Sequence, residues 1–184
     1  SLTCPEGQRL LQSAAHQLDY AQLQRYFRTQ MYLSYCGVAT GVIVANALSG
    51  KRRNTQSNWF DRLPGHTHSA YETFFGGMTL AQFDGLMKAR GFQTQRVYGG
   101  QVSLADFRQR VVDNMMNARD AFVINYHRPV VNQKGGGHFS PLAAYHEASD
   151  QVLILDVAAH KYPPVWAPLE SVWKALDTTD KSAH

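Results

Sequence analysis

Cysteine is scarce in this chain. Only Cys4 and Cys36 occur among 184 residues, which excludes a disulfide scaffold. Long hydrophobic runs are missing too: no apolar stretch approaches the length that crosses a bilayer, so no membrane span is expected. No basic–apolar–small leader is visible, and because the chain starts at Ser1 its localisation stays open. Charged residues make up only 17% against 44% hydrophobic, which excludes a self-repelling disordered chain. The net charge of +4 is thinly spread. Its one dense cluster, Lys51-Arg52-Arg53, follows an apolar helical segment, where cations suit a helix C-terminus. Nucleic acid is therefore not an expected partner. Repeats, long linkers and low-complexity tracts are absent, so residues 1–184 read as a single domain with its own core.

What is present is organised unevenly. Residues 6–28 carry apolar positions at helical spacing and suggest one or two amphipathic helices. From Val38 to Leu48 the chain is apolar nearly all round, the pattern of a helix at the centre of a core, with Gly50 as its terminator. Residues 51–77 read as a surface excursion with short helical pieces and a Pro64-Gly65 turn. Thr79-Leu-Ala-Gln82 fits a capping box for a helix ended by Gly91. Gln93–Tyr98 suggests a short strand, and Ser103 opens a helix to about Asn117. Strands are expected at Ala121–Tyr126, His138–His146 and Val152–Val157, the last two joined by the polar turn 147–150. Helices in the first half and strands in the second imply α+β, an antiparallel sheet packed against a helical lobe.

Cys36 stands where a loop becomes the apolar helix. Helix N-termini carry partial positive charge, which favours thiolate, the nucleophilic form. A nucleophilic cysteine needs a base, and the base an orienting partner. His138 and Asp156 lie on the two strands of the C-terminal hairpin. A register pairing 146 with 150 sets 138 opposite 158 and makes Asp156 a diagonal neighbour of His138 on one face. A slip of one residue would separate them, and Pro141 marks the strand as an edge or a bulged one. In these roles Cys36 attacks a carbonyl, His138 moves the proton and Asp156 orients the imidazole. Gln30, in the loop before Cys36, is a candidate oxyanion donor with the Cys36 backbone N–H. Gly135, Gly136 and Gly137 leave room for a substrate backbone beside His138. Asp84, Asp106 and Asp113 read as solvated helix faces, and Cys4 as a free terminal thiol. A non-catalytic alternative uses His66, His68 and Cys36 to bind metal, but that spacing is a weak zinc pattern and no metal site is expected.

Four segments carry a resemblance: Tyr35-Cys-Gly-Val-Ala39, Gly137-His-Phe-Ser-Pro-Leu-Ala-Ala-Tyr145, Val152-Leu-Ile-Leu-Asp-Val157 and Lys161-Tyr-Pro-Pro-Val-Trp166. In order and spacing they resemble the phytochelatin synthase family over about residues 6–180. The resemblance implies a papain-like fold and cleavage of glycine from glutathione through a γ-glutamylcysteinyl thioester, passed to a second glutathione or to water. It implies Cys36, His138 and Asp156 as the triad, Gln30 as the oxyanion residue, and Tyr35 and Lys161 beside the acceptor glutathione. Asp180 matches a residue that holds the γ-glutamyl head. No cofactor is implied. Cadmium or zinc would enter as thiolate complexes of the substrate, and a homodimer is compatible.

Two departures qualify it. The family's acceptor arginine, three residues after the triad aspartate, is Ala159 here, followed by His160. An alanine cannot clamp a carboxylate, so the acyl group is expected to pass mainly to water, as in the short bacterial form without a cysteine-rich extension. The family's later arginine-containing strand has no counterpart before His184: either the sequence is cut short there, or another residue, with Arg128 a candidate, neutralises the substrate carboxylate. The catalytic alternative is a papain-like peptidase or amidase acting on another substrate.

Overall fold

The computed structural model describes residues 1–64 and 67–178. His66 and Asp180, and the Gly65 half of the expected turn, lie outside the described residues. Among them are seven α-helices, α1 (Pro5–Ser13), α2 (Leu18–Tyr26), α3 (Cys36–Ser49), α4 (Ala70–Gly76), α5 (Leu80–Ala89), α6 (Leu104–Met115) and α7 (Leu169–Leu176). Four strands, β1 (Val123–His127), β2 (Gly137–His146), β3 (Gln151–Ile154) and β4 (Val165–Pro168), form an antiparallel sheet in sequence order. No helix among the described residues is long and apolar enough to cross a membrane. The result is the expected α+β arrangement, with the Cys36 helix packed on the sheet.

α3 is the axis of the helical lobe. Every residue from Gly37 to Ala47 is buried, as its all-round apolar surface requires. Gly50 ends it in the left-handed conformation (φ 67°), its N–H reaching the Ala47 and Asn46 carbonyls. Gly41 admits the Trp59 ring: a Cβ there would lie 2.6 Å from it. Capping boxes start α4 (Ser69, Glu72), α5 (Thr79, Gln82) and α6 (Ser103, Asp106).

The sheet is covered on both faces. Phe139, Ala143, Leu153 and Leu155 join the core around α3, while Ile124, Leu142, Val152 and Ile154 join a second core with α6 and α7. That second cover explains why β2 is buried at every position from His138 to Tyr145. β4 and α7 lie outside the elements expected from the sequence.

The hairpin register differs from expectation at the turn and agrees beyond it. His146 pairs with Gln151 and Ala144 with Leu153, one residue off the expected pairing. An irregularity between Leu142 and Ala144 then pairs Leu142 with Ile154, which restores the expected register toward His138. Pro141 lies just before it in an interior strand, opposite Val123, so it is not an edge residue.

Two further expectations are corrected. Gln93–Tyr98 has no ladder partner among the described residues and is not assigned as a strand. Asp84 is not a solvated residue: it is buried and held by Thr94, Lys88 and Arg96.

Candidate active site

Cys36 is the first residue of α3 and is half-buried; its N-cap, Tyr35, makes no side-chain capping bond. The first turn of a helix leaves backbone N–H groups without intrahelical partners, so the thiol sits against unsatisfied donors. Both cysteines are free thiols. The Cys36 thiol and the His138 imidazole lie close enough for each to shift the other's ionisation. Burial opposes its ionisation, but the His138 hydrogen bond and charge, with backbone N–H groups at Phe139 and Gly37, outweigh it and hold Cys36 below the ordinary thiol range.

His138, at the start of β2, is buried and donates Nε2–H to Asp156 Oδ1 at 2.9 Å. That bond occupies Nε2, so Nδ1 is the ring nitrogen left for proton exchange. Burial favours neutral imidazole, yet the hydrogen bonds to Asp156 and Cys36 prevail and raise its pKa. The expected His–Asp contact is therefore formed. Asp156 lies two residues beyond β3 and is fully buried.

The surroundings of Asp156 were not anticipated. Arg128 Nη2 donates to Oδ1 and Nη1 to Oδ2, both at 2.9 Å. Gln133 Nε2 reaches Oδ2 at 3.2 Å, the Tyr126 hydroxyl lies 3.4 Å from Oδ2, and the Ala158 backbone N–H donates to Oδ1 at 2.9 Å. Burial raises the carboxyl pKa, but the His138 and Arg128 contacts outweigh it and bring it to about 2. Arg128 is therefore not available as the expected partner of a substrate carboxylate: it is buried, with both terminal nitrogens on Asp156. The β1–β2 pairing sets Tyr126 opposite His138. Pairing those strands from the sequence would find Tyr126; Gln133 carries no local signal.

Gln30 is buried in the loop before α3. Its Nε2 donates to the Tyr32 and Leu33 carbonyls at 2.8 and 2.9 Å, and its Oε1 is buried without a partner. Its backbone N–H bonds the Val157 carbonyl at 2.8 Å, tying the nucleophile loop to the residue after Asp156. Tyr35 is buried, its ring edge-on to Tyr32 at 4.9 Å. Gly136 is exposed and its carbonyl accepts the Arg128 backbone N–H at 3.1 Å, while Gly137 pairs with His127. Lys161 is exposed in the turn closed by its N–H on the Ala158 carbonyl. His68 bonds the Gly77 carbonyl through Nε2 at 2.9 Å, and among the described residues no three His, Cys, Asp or Glu side chains gather around a metal position. A cavity of about 870 Å³ lies toward the other end of α3, lined by Val44, Leu48, Phe83 and Phe92; none of the candidate site residues lines it.

The arrangement can generate a thiolate, move a proton between it and a leaving group, and keep the imidazole in one tautomer. Comparison with known proteins points the same way. The sequence model of the family described as Phytochelatin synthase matches residues 1–184. Glutathione gamma-glutamylcysteinyltransferase 3 of Lotus japonicus is 34% identical over 97% of this chain and 39% of that protein. Glutathione gamma-glutamylcysteinyltransferase 1 of Arabidopsis thaliana is 35% identical over 89% of this chain and 34% of that protein. The Schizosaccharomyces pombe glutathione gamma-glutamylcysteinyltransferase is 29% identical over 90% of this chain and 41% of that protein. The chain thus spans less than half the length of these curated relatives.

Proposed function

This chain belongs to the phytochelatin synthase family, and from that premise we propose that it cleaves glutathione with Cys36 as nucleophile. The observation that carries the reading is the 2.9 Å His138–Asp156 bond together with the way His138 and Cys36, the first residue of the buried helix α3, favour each other's charged form.

The Cys36 thiolate attacks the cysteinyl carbonyl carbon of glutathione. The oxyanion forms beside the first turn of α3, where the Cys36 backbone N–H stabilises it. Gln30 joins as a second donor by releasing one of its two loop carbonyls. The carbon–nitrogen bond breaks, His138 protonates the departing amine, and glycine leaves a γ-glutamylcysteinyl thioester on Cys36. Water, deprotonated by His138, attacks the thioester, releasing γ-glutamylcysteine and the free enzyme. Attack by the amine of a second glutathione would instead give a short phytochelatin. Water is the main acceptor in this reading, because Ala159 offers no cation to an acceptor carboxylate. Tyr35, Gly136, Gly137 and Lys161, which border Cys36, His138 and the turn after Asp156, are the proposed substrate-binding residues. The chemistry needs no resident cofactor; cadmium or zinc participates as a thiolate complex of the substrate.

Incubation with glutathione followed by intact-mass analysis tests this. A γ-glutamylcysteinyl adduct should appear on Cys36, accumulate when His138 is replaced, and be absent from Cys36→Ala. Glycine release by Cys36→Ala would reject the nucleophile. Adducts only with other peptides would favour a peptidase of different substrate.

A further inference from the structure

The triad aspartate is embedded in a cationic clamp. Both Asp156 oxygens accept from Arg128, and the guanidinium is itself fixed on three sides. Gln133 Oε1 takes Nη1–H at 2.6 Å while Gln133 Nε2 bonds Asp156, so one side chain braces both members of the pair. The Tyr162 ring covers the guanidinium, with Cζ 5.0 Å from the ring centroid, and its hydroxyl is held by the Lys134 N–H at 2.7 Å. Gly135, at φ 130°, lets the backbone pass over the arginine stem, where a Cβ would approach Cδ to 2.9 Å.

We propose that Arg128 is a positioning residue of the active site: it fixes the plane of Asp156 and cancels its charge, so that Asp156 serves His138 as a directed acceptor rather than a net anion. This rests on the Cys36–His138 reading above and deepens it. A bidentate fork leaves a carboxylate one orientation, with Oδ1 on the imidazole Nε2–H. A lone buried carboxylate at 2.9 Å would also bind the imidazolium proton strongly and weaken His138 as an acid. With the guanidinium equally close to the carboxylate, on Oδ2 and on the Oδ1 that His138 uses, the Asp–Arg unit is neutral, and His138 keeps its orientation while still giving its proton to the leaving amine.

The experiment reads two quantities in a Cys4→Ser background, where Cys36 is the only thiol. One is the pH dependence of Cys36 alkylation by iodoacetamide, which needs no glutathione. The other is glutathione turnover. Arg128→Gln should move the alkaline limb of alkylation, where the imidazolium loses its proton, upward by about one pH unit. It should lower kcat roughly 10- to 100-fold with little change in KM. Arg128→Lys keeps the cation but not the fork, and should leave that limb in place while still lowering kcat. A folded Arg128→Gln variant with the wild-type alkaline limb would overturn the proposal, as would a loss confined to KM, which would make Arg128 a substrate ligand. If circular dichroism shows that Arg128→Gln does not fold, Arg128→Lys decides alone: wild-type kcat refutes the clamp, and reduced kcat at an unmoved limb supports it. A wild type that alkylates normally but is silent toward glutathione sinks the substrate assignment, and the limb shift still tests the clamp.

Discussion

Replacing Asp156 by asparagine changes one atom and should be among the most damaging single substitutions in the chain. The carboxylate is fully buried and receives His138, Ala158 and Arg128 on Oδ1, and Arg128, Gln133 and Tyr126 on Oδ2. An asparagine can keep the Oδ1 contacts, but its amide then points two hydrogens at the Arg128 and Gln133 donors. Protonation alone gives a lower bound. A pKa brought from 3.8 to about 2 corresponds to about 2.5 kcal/mol, present above the unfolded value near pH 4 and lost as pH falls through 2. Asparagine also strands a buried guanidinium, and breaking such a pair typically costs about 3–5 kcal/mol, a large share of a total near 5–15 kcal/mol. Urea unfolding at pH 7, followed by tryptophan fluorescence, should show a loss in that range. Adding Arg128→Met to Asp156→Asn should restore much of the stability, because the stranded charge is then gone, yet leave the enzyme inactive. A loss under about 1 kcal/mol in the single variant, or a double variant no more stable than the single, would refute the account of Asp156 as one half of a buried ion pair.

Three other outcomes are expected. Asp19 is fully buried with Oδ2 unpartnered; burial, partly offset by a Gln22 hydrogen bond, and the Asp120 charge raise its pKa to about 7. The native state then holds a proton that the unfolded chain has released, so stability should fall as pH rises from about 4 to 7. Asp19→Asn should therefore gain about 2–4 kcal/mol more at pH 8 than at pH 4; equal gains at both would refute the assignment. Gly41→Ala improves helix propensity by about 1 kcal/mol, but its Cβ would lie 2.6 Å from the Trp59 ring. Net destabilisation of about 1–2 kcal/mol is expected by thermal or urea unfolding, and a stabilised variant would show that Trp59 yields. Ala159→Arg places a cation in the turn after Asp156 and should raise the ratio of phytochelatin to γ-glutamylcysteine in the product mixture; an unchanged ratio would remove Ala159 as the ground for the proposed preference for water.

The parts of the fold and site that the sequence exposes are those whose signal is local. α3 is legible because its all-round apolarity, Gly50 and the cysteine at its start lie within one short stretch. His138 and Asp156 are legible because they share a hairpin, though the reasoning reached the right register by way of a turn that pairs one residue off and an irregularity near Ala143 that offsets it. Gln93–Tyr98 shows the limit of local pattern: its residues suit a strand, but no ladder partner reaches it among the described residues. Arg128 shows a different limit. As a cation at the end of a strand it was a reasonable candidate for a substrate carboxylate, and nothing in its neighbours in sequence argues otherwise. Its actual partner is 28 residues away and is brought there by the β1–β2 and β2–β3 pairings together. The consequence is chemical as well as structural. Whether Asp156 acts on the imidazole as an anion or as a neutral acceptor is not a property of the aspartate, because its field at His138 depends on what lies on its other side. In the proposed reaction Cys36 and His138 supply the atoms that move, and the buried arginine bonded to Asp156 sets how firmly His138 holds its proton.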